Sequence, residues 1–279
     1  MRGGAPGPAA RAPRDRPAAP ARPARRRVAG VTYRPVTVVG HHVRMRIMPV
    51  GDSMTIGSCG DFTWRYRLWQ HLRATHDGPF RLVGPRAALH DTAADAATSQ
   101  RYGDPAFPPD ARRHLAGWGE GWLHMAPLIG DAVRAHRADT LLVSLGLIDL
   151  GFYTDAAQTA ANVREFLTAA RRAAPRVRAV LLPVLANSRA ADDPEFAAEC
   201  ARFNALLAET AATLTTPASP FLLAPAPAPW DLAHHTYDGT HPSPAGEHAL
   251  AAAFAGTLHS AWGVGGPYAQ APAPEYAAG

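Results

Sequence analysis

Lysine is absent from this 279-residue chain, so all 28 of its Lys+Arg residues are arginine. A bias that complete points to a GC-rich genome rather than to chemistry. Cysteine occurs only as Cys59 and Cys200, too few for a disulfide framework and without metal-ligand spacing. No stretch approaches the roughly 18 consecutive apolar residues of a membrane span, and the cytoplasm is the expected location. Neither G-x-G-x-x-G nor G-x-x-x-x-G-K-[ST] occurs, so nucleotide-cofactor and P-loop chemistry have no support. No internal repeat is visible.

The formal charge of +5 is unevenly placed. Residues 1–44 hold ten arginines against Asp15 alone, which leaves 18 arginines against 22 acids in the remainder. The body is therefore mildly acidic and no nucleic-acid partner is expected. The segment "MRGGAPGPAARAPRDRPAAPARPARRR" is rich in Pro, Ala, Gly and Arg, lacks an apolar run and is expected to be disordered. It has no Sec-type apolar region. Three readings stay open: an extension upstream of a real start at Met45 or Met48, an arm for an anionic partner, or an export leader interrupted by Arg34 and Pro35. Residues 263–279, again Pro/Gly/Ala-rich, are expected to form a second tail.

Between the tails, short apolar runs alternate with helical patterns. Strands are expected at Arg46–Val50, Phe80–Val83, Thr140–Ser144, Ala179–Val184 and Phe221–Ala224. Helices are expected at Thr63–Thr75, Gly121–Arg137, Ala156–Ala174, Pro194–Ala212 and Pro244–Trp262. Nearly all-apolar strands fit a parallel sheet covered on both faces, and the β-α-β order gives a three-layer α/β/α sandwich of five strands in one domain, residues 45–262. Ligands of such sheets sit beyond the strand carboxyl ends, where Ser53, the 84–119 loop, Gly146–Asp149 and the 225–243 loop should gather.

At the end of the first strand stands Gly51-Asp52-Ser53-Met54-Thr55, and near the other end "TYDGTHPSPAGEHALAAAF" places Asp238 three residues before His241. Ser53 is either a turn cap or a nucleophile. The partner loop favours the nucleophile: neutral His241 takes the hydroxyl proton, and Asp238 fixes its tautomer and stabilises the imidazolium. Asp52 reads as structural, and Ser243 as a cap of the last helix. The missing second glycine of G-x-S-x-G argues against an α/β-hydrolase. His234, His235, Asp238 and His241 also admit a metal reading, without a recognised ligand spacing. His114 and Trp118 either line a pocket or pack a loop. Phe62, Trp64, Tyr66 and Trp69 read as the buried face of the first helix.

"GDSMT" after the first strand and D-x-x-H before the last helix together resemble the SGNH (GDSL) hydrolase family, over residues 45–262. "GDSMTIGSCGDFTWRYRLWQHL" resembles its intracellular actinobacterial branch. The resemblance implies a flavodoxin-like sandwich, hydrolysis of a small-molecule carboxylic ester and no metal or cofactor. It implies Ser53 as nucleophile and oxyanion donor, Asp238 and His241 as acid and base, and Gly117 as second amide donor, with Gly119 nearly as good a match. The family's third donor is the asparagine of G-x-N-D, where this chain has Gly146-Leu147-Ile148-Asp149. Ile148 donates nothing, which leaves open acyl transfer to a bound alcohol or amine, or ligand binding without turnover.

Overall fold

The first strand carries a proline at its centre, and the sheet is arranged so that its missing N–H costs nothing. The computed structural model describes residues 45–269, with Met1 and Gly3. Expectations for residues 1–44 and 270–279 lie outside the described residues. The strands are β1 (Met45–Gly51), β2 (Phe80–Leu82), β3 (Leu89–Asp91), β4 (Ala96–Ser99), β5 (Leu115–Ala116), β6 (Thr140–Ser144), β7 (Arg178–Leu182) and β8 (Phe221–Leu223). The helices are α1 (Ser53–Ile56), α2 (Thr63–Thr75), α3 (Trp122–His136), α4 (Ala156–Ala173), α5 (Ser188–Asp192), α6 (Pro194–Leu214), α7 (Leu232–His235) and α8 (Pro244–Trp262).

β1 pairs in parallel with β6 on one side, from Ile47↔Thr140 to Gly51↔Ser144. On its other side it meets β2 at Met45–Ile47 and β5 at Val50–Gly51. The Ile47 carbonyl accepts from Val83 N at 2.8 Å on the β2 side. By alternation Pro49 faces that same side, in the gap where β2 has left and β5 has not begun. The main path runs β2-β1-β6-β7-β8, all parallel. Counting those five strands in chain order, this is the doubly wound 2-1-3-4-5 arrangement. β5 adds a sixth strand to the expected five, and β3 and β4 form a separate antiparallel hairpin.

β6 is buried along its whole length and β1 at all but Arg46, as all-apolar runs require. α3, α4 and α6 pack together as one layer, and α2 packs with α8 as the other. β7 ends at Leu182 rather than Val184, because Pro183 has no N–H for a further ladder bond. The stretch from 263 differs from the expected tail. Gly263 ends α8 with φ 64, Val264 is buried, and Tyr268 Oη lies 2.7 Å from His248 Nδ1. Residues 263–269 fold back over α2, with the Gly266 carbonyl 3.2 Å from His71 Nε2 and the Tyr268 ring 4.9 Å from the His71 ring. No helix among the described residues is long and apolar enough to cross a membrane.

α2 buries more than an aromatic face. Trp64 and Tyr66 are buried as the pattern implies, yet so is Arg65, at 0 % exposure. Its guanidinium donates to the carbonyls of Thr55 (2.8 Å), Ile56 (3.0 Å) and Arg112 (3.0 Å). It thereby satisfies the last carbonyls of α1, the helix that begins at Ser53. Arg65→Met removes those donors while keeping much of the side-chain volume. It is expected to lower unfolding free energy by on the order of 3 kcal/mol in urea titrations. A loss below about 1 kcal/mol would mean that water replaces the guanidinium.

Candidate active site

The turn from β1 into α1 explains its own sequence. A Cβ on Gly51 would lie 2.8 Å from the Ser144 carbonyl of β6 and closer still to Thr55, so only glycine lets β1 pass its neighbour there. Asp52 caps α1 by accepting from Met54 N at 3.0 Å, the structural role expected of it. Ser53 follows as the first helical residue, 4 % exposed, at the strand's carboxyl end. Its own amide donates to no group among the described residues.

The loop before α8 brings its two residues to that point. Ser53 Oγ donates to His241 Nε2 at 2.9 Å, across 188 residues of chain. His241 Nδ1 donates to Asp238 Oδ2 at 2.6 Å, and Asp238 Oδ1 accepts the backbone N–H groups of Thr240 (3.0 Å) and His241 (2.7 Å). Partial burial pushes the Asp238 carboxyl up, but the His241 side chain and these two amides outweigh it and hold the carboxyl below its usual range. Ser243 caps α8 through Gly246 N at 3.3 Å. A serine, an imidazole and a carboxylate aligned in this way can pass a proton between an attacking hydroxyl and a leaving group.

Beside Ser53 and His241 opens a cavity of about 530 Å³, walled by Trp118, Gly119, Leu147, Ile148, Phe152 and Phe196 among others. Gly117 stands just past β5, and its N–H donates to the Gly51 carbonyl at 3.2 Å as a continuation of the sheet. The amide of Gly119, which has φ +70 and borders the cavity, donates to no group among the described residues. Gly119 is thus the better placed of the two expected donors. Ile148 sits in the cavity wall. Its neighbour Asp149 turns away to accept from Trp122 N (2.8 Å) and Leu123 N (3.1 Å) at the start of α3.

The other candidates separate. Trp118 lines the cavity, whereas His114 is fully buried, accepting from Ala116 N at Nδ1 and facing the Ala88 carbonyl at Nε2. Burial, and then the Arg65 charge, hold the His114 imidazole well below its usual range. His235 turns back to Asp231 and stacks on Trp230 at 5.2 Å. Among the described residues no three His, Cys, Asp or Glu side chains are grouped to hold a metal ion. Cys59 and Cys200 are both free thiols.

Residues 50–249 match the GDSL-like Lipase/Acylhydrolase family. The chain belongs to that family. Several crystal structures share the fold of this GDSL-like chain. An acetyl esterase mutant with an acetate ion and a carbohydrate esterase family 3 protein from Talaromyces cellulolyticus each superpose with a TM-score of 0.62 at 21% identity, covering 77% of this chain and 97% of theirs. The Clostridium thermocellum family 3 carbohydrate esterase gives a TM-score of 0.58 at 19% identity, covering 80% of this chain and 100% of its own. No curated protein matches the chain in sequence.

Sequence reasoning places two parts of the cavity wall only as the 150–156 and 186–193 loops, expected to shape acyl length and alcohol type, without naming their residues. The aromatic pair Phe152 and Tyr153 rims the cavity from a π-helical turn, Asp149–Tyr153. Asn187 and Arg189 reach it from α5 and its cap. The only signal for the first was an aromatic pair next to Gly151, and for the second an Asn-Ser helix start after Pro183.

Burial pushes the Asp52 carboxyl up to about 7, against the Met54 amide and with help from nearby Asp149. The folded chain therefore keeps a proton that an unfolded aspartate releases near pH 4. Stability from this proton is complete below about pH 4 and is lost as pH rises through 7. In Asp52→Asn, which retains a capping oxygen, the fall in unfolding free energy between pH 4 and 7 is expected to shrink by on the order of a few kcal/mol. Urea titrations across that range check it. An unchanged pH dependence would mean that Asp52 ionises like a solvated carboxylate.

Proposed function

We propose that the protein is a serine hydrolase of small-molecule carboxylic esters. The reading rests above all on the 2.9 Å contact between Ser53 Oγ and His241 Nε2, which puts a base within hydrogen-bond reach of an otherwise weak nucleophile. Ser53 Oγ attacks the acyl carbon as its proton moves to Nε2. Asp238 steadies the imidazolium that results. The Ser53 and Gly119 amides receive the oxyanion, and His241 returns the proton to the leaving alcohol. Water, deprotonated by the same imidazole, then releases the acid. The esterases among the fold neighbours agree with ester chemistry, and the apolar wall of Leu147, Ile148 and Phe152 suits the acyl part of a substrate.

Hydrolysis of p-nitrophenyl acetate or butyrate tests the proposal. Ser53→Ala is expected to lose activity by a factor of about 10³ or more, together with labelling by a fluorophosphonate. Full activity in the alanine variant would end the reading.

In this reading Ile148 stands where a third oxyanion donor would be. Such a donor is worth about 10²–10³ in turnover. Ile148→Asn is therefore expected to raise kcat by roughly tenfold or more. An unchanged kcat would show that another group already supplies the third hydrogen bond.

A further inference from the structure

Two aromatic rings stack against His241. The Trp118 ring lies 4.6 Å from it at an interplanar angle of 19°, and the Tyr237 ring 5.7 Å away at 20°. Behind Trp118, His90 stacks at 4.2 Å and 18°. The rings form a chain of stacked pairs, and both of its ends are tied to the segment just after α1. The His90 amide donates to the Gly57 carbonyl at 2.9 Å, and its carbonyl accepts from Cys59 N at 2.8 Å. At the other end, Tyr237 Oη lies 3.2 Å from Ser58 Oγ.

The stack adds to what the hydrogen bonds do. The bonds at Nδ1 and Nε2 hold the imidazole by its edge, and a ring stacked on its face resists tilting of its plane. The side chain of Asp238 is 42 % exposed, so water screens its attraction for the imidazolium. The Trp118 face, stacked at 4.6 Å, limits how far the imidazole can tilt. An indole face within about 6 Å also attracts the ring once it is charged.

We propose that Trp118, backed by His90, is a positioning residue for the base: it sets the plane of the His241 ring towards Ser53 and stabilises the imidazolium formed during turnover. The role rests on the ester-hydrolase reading. It also gives a purpose to the β3–β4 hairpin, which carries His90.

The test uses the full chain with p-nitrophenyl butyrate. Trp118→Leu is expected to lower kcat about 3- to 10-fold while KM changes by less than about 2-fold, and Trp118→Phe, which keeps an aromatic face, recovers most of the loss. The ring-proton resonances of His241, assigned by their disappearance in His241→Gln, lie upfield in the wild type through the indole ring current and move downfield in Trp118→Leu. Tyr237→Leu, at a half-exposed position that tolerates substitution, gives a smaller fall in kcat in the same direction. An unchanged kcat in both leucine variants would overturn the proposal. So would a raised KM at constant kcat, a phenylalanine variant no better than leucine, or wild-type ring resonances at free-imidazole positions. Absence of Ser53-dependent turnover in the wild type would instead overturn the hydrolase reading, and the role of Trp118 would fall with it.

Discussion

Glu247 fastens the two halves of the site to each other. From the first turn of α8 its carboxylate accepts the Thr63 amide at 2.6 Å and the Arg67 guanidinium at 3.1 Å, with both charged side chains about 5 % exposed. α2 follows Ser53 in the chain and α8 follows His241, so this contact ties together the two segments that carry them. Burial raises the Glu247 carboxyl to about 7 despite the neighbouring Arg67 charge. An ion pair that deep gives little net stability, yet removing one partner would strand the other. Thr63 also holds φ 75, a costly conformation for a β-branched residue, and its amide hydrogen bond to Glu247 sustains it. Trp64 against Phe254, ring centroids 4.6 Å apart, completes the joint with apolar surface.

That joint lies inside the protein, whereas Asp238 and His241 stand near its surface. The exposed loop before α8 is held by its own hydrogen bonds, with Tyr237 N donating to the His241 carbonyl at 3.0 Å and Gly239 N to Thr236 Oγ1 at 3.0 Å. Loop hydrogen bonds hold the Asp238 carboxylate, helix packing joins the segments that carry Ser53 and His241, and aromatic rings stack against the imidazole.

The central strands were legible because burial on both faces admits only apolar residues, and Thr140–Ser144 and Pro244–Trp262 coincide with their expected bounds. The residues of the serine–histidine–aspartate alignment were legible for another reason. Short loops at strand ends expose few side chains, and the spacing of Asp238 and His241 allows one loop to use both. The β3–β4 hairpin was not legible. "LHDTAADAATS" has no alternation of apolar and polar residues, and its burial comes from loop packing rather than from a core face. Arg65 and Arg67 were hidden because charged residues on a helix read as its solvent side. Their burial depends on carbonyls and a carboxylate supplied from 9 to 180 residues away.

Gly117 shows how one unforeseen strand can redirect a local reading. As a loop residue, Gly117 would have its amide available. As the residue after β5, it continues a parallel ladder and its amide belongs to Gly51. Beyond the strand, Gly119 borders the cavity in a left-handed turn that a side chain would strain. Across the cavity, Asp149 is anchored to the first amides of α3, and a Cβ on Gly121 would collide with its carboxylate, so the residue next to Ile148 is held by α3 rather than by the cavity. The polar side chains of Tyr153, Asn187 and Thr240 share that cavity wall.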